Sequence, residues 1–561
     1  MSTLIRYLQY GIAMQWKSPG FIALAMLTLA LCPAAAQTFP RPGYLRQMVY
    51  TPVAPAQPRG PEALRDYVVG GKLRLTLQDA VRLALLNNSD VRVGELSVEN
   101  ARFNLLGAFQ PFDPVSTTSF NTTRSTSPTY STIQGAPTLS SLSQVASFDY
   151  SQMFQTGTRY DLGFNGSKLA TNSVFNTFNP SIASSLSFTL TQPLLRNRGL
   201  FPNSAPIVIA RRNQDASRAS FEALANDTLA QAIQQYWAVV LARENLAVLQ
   251  KSLEEAQATY DQNKKALQLG AIPSFDIYRS ESQVATRRVQ VIQAEYQLKQ
   301  QEDALRSFLG ADLDPYIRAL DLDLVEPVEP PGEFPSRDAA EAYKQALEKR
   351  PEFEALRQQM AIADISIRLA HNDLLPELDL SGLYASNGLG GNELNPATTP
   401  ATLISTGGLG DALGQLRRFD FPSYGFTLSL RLPIRNRAAQ AELGNALVSK
   451  RRSLYQMRRQ EQALWLDVRN SVHQFEQAKL SIQAARIARD LAQKTLEAEQ
   501  RKYELGASQI FFVLDAQTQL QLAELSLVQA EVSYQESVTA LDHASGTLLE
   551  KHNVKIEDVK P

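Results

Sequence analysis

The chain has 561 residues, with 55 lysines and arginines against 56 aspartates and glutamates, and a single cysteine. Its net charge of −1 gives no electrostatic reason for a nucleic-acid partner. The histidines His371, His473, His543 and His552 are scattered, and no HExxH, GxSxG or P-loop pattern occurs, so neither an enzyme nor a bound cofactor or metal is expected.

Arg6 and Lys17 lead into an apolar run from Phe21 to Cys32 and then Ala34-Ala35-Ala36. Residues 1–36 therefore read as a secretory signal cleaved after Ala36, too short to span a bilayer as a mature helix. Cys32 poses acylation as the alternative, against which stands the bulky Leu31 where a lipoprotein peptidase takes a small residue. Cleavage after Ala36 leaves no cysteine, which excludes disulfides and thiolate zinc sites. No later run approaches the roughly 20 apolar residues of a transmembrane helix, so insertion into a membrane would need a closed β-barrel.

Residues 37–72, rich in proline, read as an extended N-terminal segment. Thr76, with Asp79 three residues on, predicts a capped helix through Leu77, Ala80, Val81, Ala84 and Leu85 that continues past Asn87-Asn88 to about Leu106. Alternating runs follow, and the one from Leu186 to Gln192 ends at Pro193 with Arg196-Asn197-Arg198 beyond it. Then comes a stretch without proline between Pro206 and Pro273, a break at Leu269-Gly270-Ala271, and more helix.

The same series returns in the second half. Asp338-Ala339-Ala340 opens a helix running through Ala346 and Arg350-Pro351 to His371. Leu378, Leu380, Gly382 and Tyr384 then alternate with Glu377, Asp379, Ser381 and Leu383. The run Phe426 to Leu432 ends at Pro433 before Arg435-Asn436-Arg437, and a proline-free stretch follows, broken at Leu505-Gly506-Ala507. Period-two alternation with serine and threonine on one side suits a strand between lipid and water, and equally a half-buried soluble sheet.

The offset between the two series is 262 at Ala84 and Ala346, 240 at the two prolines, and 236 at Gly270 and Gly506. About 22 extra residues thus lie in the first half, and Gln144–Lys168, turning at Thr156-Gly157, reads as an added hairpin. Segments 128–143 and 388–415 read as loops rich in glycine, serine, threonine and proline. About 60 uninterrupted residues make a helix of roughly 90 Å. The heptad steps Ala232, Val239, Leu246, Leu253 and Tyr260, with Ala242, Leu249 and Ala256 beside them and Val468, Phe475 and Ile482 in the second half, predict coiled-coil packing. Trp237 and Trp465 read as helix packing.

At these residues the chain resembles the TolC-like outer membrane efflux family over about 73–550. The resemblance rests on Leu75-Thr76-Leu77-Gln78-Asp79-Ala80 with Ala84-Leu85-Leu86-Asn87-Asn88, on both strand-to-proline exits, and on Tyr503-Glu504-Leu505-Gly506 leading to Val513-Leu514-Asp515-Ala516-Gln517. Ala544-Ser545-Gly546-Thr547-Leu548-Leu549 closes the series. It implies an α+β membrane protein whose duplicated helix–strand repeat, 73–324 and 325–550 followed by a tail 551–561, builds a trimeric transmembrane β-barrel. That barrel continues as a long periplasmic α-helical coiled-coil barrel. Four strands per protomer would give twelve, a count that the added hairpin unsettles.

The resemblance further implies an outer membrane location and a homotrimer in outer membrane lipid that meets a periplasmic adaptor and an inner-membrane efflux pump. Leu269, Gly270, Ala271, Leu505, Gly506 and Ala507 match the adaptor-contacting tip. Asp276 and Tyr503 match positions that bond across protomers to hold the periplasmic gate closed, and Asp515 matches one acidic ring of its entrance. Ser508 stands where the family has a basic residue and Phe512 where it has a second acidic ring, which implies a weaker polar latch with apolar packing of Phe512 in its place. The implied function is passive export of small molecules, drugs among them. The exit duct of a type I protein secretion system uses the same fold, and a non-conducting periplasmic coiled coil is the rival outside the channel class.

Overall fold

The computed structural model describes residues 60–130, 136–269, 273–329, 338–395, 397–398 and 402–552. The signal, Cys32 and most of the tail lie outside these residues. Within them, the segment expected to be extended holds a 3-10 turn (Leu64–Tyr67), a short strand β1 (Val68–Val69) and the first residue of β2 (Lys72–Leu75). The Thr76 hydroxyl accepts the Asp79 N–H at 3.2 Å while the Asp79 carboxylate accepts the Thr76 N–H at 3.1 Å. This reciprocal cap starts α1 (Leu77–Asn87). The helix does not continue to Leu106: Asn88 leaves helical geometry and its side-chain oxygen accepts the Asp90 N–H at 2.9 Å, capping a separate helix α2 (Ser89–Gly107). Thr76→Ala should cost about 1 kcal/mol, read as a lower thermal midpoint. An unchanged midpoint would mean that burial of Ala80, Val81, Leu83 and Ala84 alone holds α1.

Four strands follow: β3 (Val115–Pro128), β4 (Thr138–Met153), β5 (Arg159–Thr171) and β6 (Phe178–Pro193). Then come α3 (Leu200–Gln268), α4 (Ser274–Phe308) and a short strand β7 (Asp321–Leu324). The second series repeats the plan with α5 (Ala339–Lys349), α6 (Pro351–Asp373), β8 (Glu377–Asn395), β9 (Thr402–Ser405), α7 (Leu409–Arg418), β10 (Phe421–Arg431), α8 (Arg437–Glu504) and α9 (Ile510–Ala544). The match extends to length. Helices α3 and α8 have 69 and 68 residues, and α4 and α9 have 35 each. At 1.5 Å per residue the longer pair runs about 100 Å. Ala84 and Ala346 are both fully buried, and each accepts the N–H of the residue four positions on, Asn88 and Arg350.

The strongest core lies where β2 pairs in parallel with β7. Leu73, Leu75 and Leu324 there bury against Leu229, Ile233 and Tyr236 of α3. The Tyr236 hydroxyl bonds to the Glu326 carboxylate, and burial together with that carboxylate pushes the phenol pKa up. Sequence reading misses this small sheet because strands of two and four residues carry too little periodicity to register. Farther along, Val468, Phe475 and Ile482 are buried as the heptad spacing predicts. Trp237 and Trp465 pack edge-on to Tyr236 and Tyr343.

The large sheet runs β10-β8-β6-β5-β4-β3, every neighbour antiparallel, with β9 against β8. One cross-strand row reads Tyr424, Tyr384, Phe188, Leu162, Tyr150 and, on β3, Ser116. The next row, on the opposite face, reads Ser423, Ala385, Ser187, Gly163, Asp149, Thr117. One face is thus mainly apolar from β10 to β4, while β3 brings Ser116, Thr118, Phe120 and Thr122 to it. The other is hydroxyl-rich, with ladders such as Ser119 to Ser147 at 2.7 Å and Thr191 to Ser381 at 3.0 Å. That alternation suits strands with lipid on one side and water on the other. No helix among the described residues is long and apolar enough to cross a membrane.

Two predicted loops are corrected. Residues 138–143 belong to β4, and 388–415 hold the end of β8, β9 and most of α7. Small polar residues hide the alternation there, and pairing with a neighbouring strand supplies what propensity does not. Helix α7 lies on the apolar face of β8 at the end away from the long helices, with Ala412 and Leu416 buried. The Ser386 hydroxyl donates to the Leu416 carbonyl at 3.0 Å, and the Leu389 N–H to Gln415 at 2.8 Å.

Candidate gate at the tips of the helical hairpins

Helices α3 and α4 form one long hairpin, α8 and α9 the other. Leu269 and Leu505 stand at equivalent turns and are each 84% exposed. Gly270 and Ala271 lie outside the described residues. At the second turn the Gly506 N–H donates to the Tyr503 carbonyl at 2.9 Å and the Ala507 N–H to the Lys502 carbonyl at 2.9 Å. This paired C-terminal closure needs the left-handed backbone of Gly506, φ 75°. Ala507, like Gly506, is exposed.

Inside the tips the two hairpins are tied by polar side chains. Asn263 of α3 is 1% exposed. It accepts the Tyr503 hydroxyl of α8 at 3.0 Å and donates to the Ser280 hydroxyl of α4 at 2.8 Å. Burial, and then the nearby Asp276 carboxylate, push the Tyr503 phenol above its ordinary pKa, so it remains a donor at neutral pH. Asp276 itself sits half-exposed in the first turn of α4. The sequence signal for Asn263 was present but unused: it lies seven residues beyond Ala256 in the series Ala242, Leu249, Ala256, all buried. A buried asparagine at a heptad position fixes register at some cost in stability.

Above it the ladder continues. Gln517 donates to the Thr259 hydroxyl at 3.0 Å, and Gln521 to Gln290 at 3.2 Å. The buried Arg287 donates to the Thr518 hydroxyl at 2.9 Å, and burial pulls its pKa down. Lys251 meets Glu524 at 2.8 Å.

Ser508 donates to Glu499 at 3.0 Å, beside a Lys502–Glu499 pair at 2.6 Å, so its bond stays within its own hairpin. These partners hold the Glu499 carboxyl below its usual range. Phe512 is half exposed and packs edge-on to Phe511 at 5.4 Å. Arg279 lies over Phe275 at 4.7 Å and Phe511 at 5.5 Å, joining α4 to α9 by a stack that sequence reading missed. Asp515 is exposed on α9. The structure thus brings Asp276 near Tyr503 and sets Phe512 and Asp515 within the first two turns of α9. Among the described residues no group of His, Cys, Asp or Glu is placed to hold a metal ion.

A two-faced antiparallel sheet set on helical hairpins of this length, duplicated within one chain, defines a protomer of an outer membrane channel-tunnel. Residues 80–311 and 342–547 match the family model described as outer membrane efflux protein, and the chain belongs to that family. It is similar to the pyoverdine export outer membrane protein OpmQ of Pseudomonas putida, 25% identical over 354 residues. That match spans 60% of this chain and 65% of the relative, just under two thirds of its length. The probable outer membrane lipoprotein SilC of Salmonella typhimurium is 22% identical over 60% of this chain and 67% of its own. Among solved structures, CusC aligns with a TM-score of 0.60 and 17% identity over 91% of this chain and 99% of CusC. The Campylobacter jejuni CmeC outer membrane channel gives 0.59 and 16% over 84% and 85%. The sheet therefore stands in the outer membrane and the long helices form a periplasmic tunnel; the family is one of channels, not enzymes.

Proposed function

We propose that this protein is the outer membrane channel-tunnel of a tripartite efflux system. Three copies carry small molecules outward, passively, from an inner-membrane pump through a periplasmic adaptor. The observation that carries the reading is the sheet's mainly apolar face and, among the described residues, two unpaired edges at β3 and β10, set on hairpins whose longer helices run about 100 Å. Open edges are not tolerated in lipid, so the sheet needs further copies to close. Small cargo, rather than a secreted protein, is supported by the relative named for pyoverdine export.

In this reading the exposed leucines at both turns receive the adaptor, and Phe512, packed on Phe511, adds an apolar contact to the gate. The ties at Asn263 and Tyr503, with Asp276 beside them, hold the entrance shut, and three copies of Asp515 ring it with negative charge. Such a ring favours cations. Reconstituted trimers in planar bilayers should pass small cation-selective currents, and Asp515→Asn should lower the selectivity. Correctly inserted trimers that pass no current even after the gate variants described below would refute conduction.

A further inference from the structure

We infer that the β4–β5 hairpin is part of the barrel wall, so that three copies of this chain close eighteen strands and the outer membrane exit is unusually wide. The inference rests on the trimeric reading above. Strand β3 pairs with β4 from Val115 opposite Ser151 to Pro128 opposite Thr138, and β6 pairs with β5 from Thr191 opposite Arg159 to Ser181 opposite Leu169. Between them β4 and β5 pair without a bulge from Met153 opposite Arg159 to Ser141 opposite Thr171. The hairpin thus occupies the place in the sheet where β3 and β6 would otherwise meet.

Its side chains obey the wall's two faces. Phe148 and Phe164 oppose each other and continue the row of Leu186 on β6. Ser147 and Asn165 continue the row of Ser185 on the hydroxyl-rich face. A hairpin projecting from the barrel would have no reason to keep an apolar face in register with its neighbours.

The turn is also built into the end that meets the helices. The Gly199 N–H donates to the Thr156 carbonyl at 3.1 Å, and Asn203, on the first turn of α3, bonds to the Asn197 and Gly199 carbonyls at 2.8 and 2.7 Å. Gly157, at φ 84°, sits so close that an added Cβ would lie 2.6 Å from the Asn197 carbonyl oxygen. A short turn on the periplasmic side and longer connections outside is the pattern of outer-membrane barrels. Adding two strands also keeps the number per copy even, so β3 still meets β10 of the next copy antiparallel.

Barrel diameter grows roughly in proportion to strand number, so eighteen strands make the exit about half again as wide as twelve, in the range where barrels hold an aqueous channel. The narrow part of the path then lies at the periplasmic tip, and the outer end releases bulky solutes without contact. Electron cryomicroscopy of the purified full-length protein in lipid nanodiscs tests this. Eighteen strands in a trimer are expected. A variant lacking residues 138–171, whose two ends lie at the same outer edge of the sheet, should fold as a trimer of twelve. A wild-type trimer with twelve strands and the hairpin outside the wall would overturn the inference while leaving the channel reading intact. A dimer closing twelve strands would overturn the trimeric reading and this inference with it. If the deletion variant fails to assemble, cysteine pairs in the full-length protein decide. Ser119→Cys with Ser147→Cys, and Asn165→Cys with Ser185→Cys, should each cross-link within the inserted trimer. An intact trimer in which either pair stays reduced under oxidant would overturn the inference.

Discussion

Asn263→Ala should raise the open fraction of the proposed periplasmic gate about tenfold. The substitution leaves the Tyr503 hydroxyl of α8 without its acceptor and removes the donor to Ser280 of α4. A buried polar group left unpaired costs about 1–3 kcal/mol, and each 1.4 kcal/mol is a factor of about ten in an equilibrium constant. That cost falls on the closed arrangement alone, because parting of the two hairpins returns the phenol to water. Single-channel recording should show longer and more frequent large openings. Tyr503→Phe should do the same more weakly, since Asn263 keeps its bond to Ser280. The phenol's raised pKa sets the pH dependence: the bond is present at every pH below tyrosine's ordinary value and is lost only as pH rises through the raised one. Gating should therefore be flat across neutral pH. Wild-type conductance from Asn263→Ala would show that this tie does not hold the tip closed.

Gly388→Leu should detach α7 from the sheet. An added Cβ at Gly388 would lie 2.0 Å from the Ala412 carbonyl oxygen, and one at Gly390 would lie 2.2 Å from the Gly408 carbonyl oxygen. Both obstacles are backbone, of α7 and of the residue that caps it, which cannot swing aside as a flexible side chain would. The α7 backbone therefore seats directly on a glycine floor, and Ser386 and Gln415 fasten it there. Overpacking of this kind costs about 1–3 kcal/mol, sometimes more. The purified variant should melt earlier and be cut quickly by trypsin at Arg417 and Arg418, which the native protein carries on the exposed end of α7. Gly382→Leu is the control. It lies on the same strand and the same face, with nothing within 4 Å of its Cβ. Equal proteolysis of the two variants would mean that α7 does not depend on this seat.

Much of this architecture is legible from residue order because it depends on local periodicity repeated over long distances. Seven-residue spacing without proline or glycine over some sixty positions admits little besides a long helix, and its return about 240 residues later announces the duplication. The Thr76–Asp79 cap is equally local. What local reading missed is what depends on a partner across the fold. Residues 388–395 contain three glycines and a run of polar residues, and they become strand because β6 and β9 pair with them. Asn88 ends one helix and starts another through a single side-chain oxygen, which a continuous apolar pattern conceals.

The candidate gate divides the same way. Order along the chain was enough to single out both helix turns, and the resemblance to the efflux family marked Tyr503, Asp276, Phe512 and Asp515 beside them. It could not reveal that Tyr503 reaches Asn263, 240 positions earlier, or that Arg279 stacks between aromatics of two helices. Sequence by itself determined the duplicated order of strands and long helices and the two-faced pattern of the strands, since both follow from the 3.6- and 2-residue repeats of the backbone. Only the tertiary structure decided that the added hairpin lies between β3 and β6 and that Asn263 bridges the hairpins. Strand order and side-chain contact across a sheet or a coiled coil are set by which surfaces meet, and no spacing within a single strand or helix encodes that.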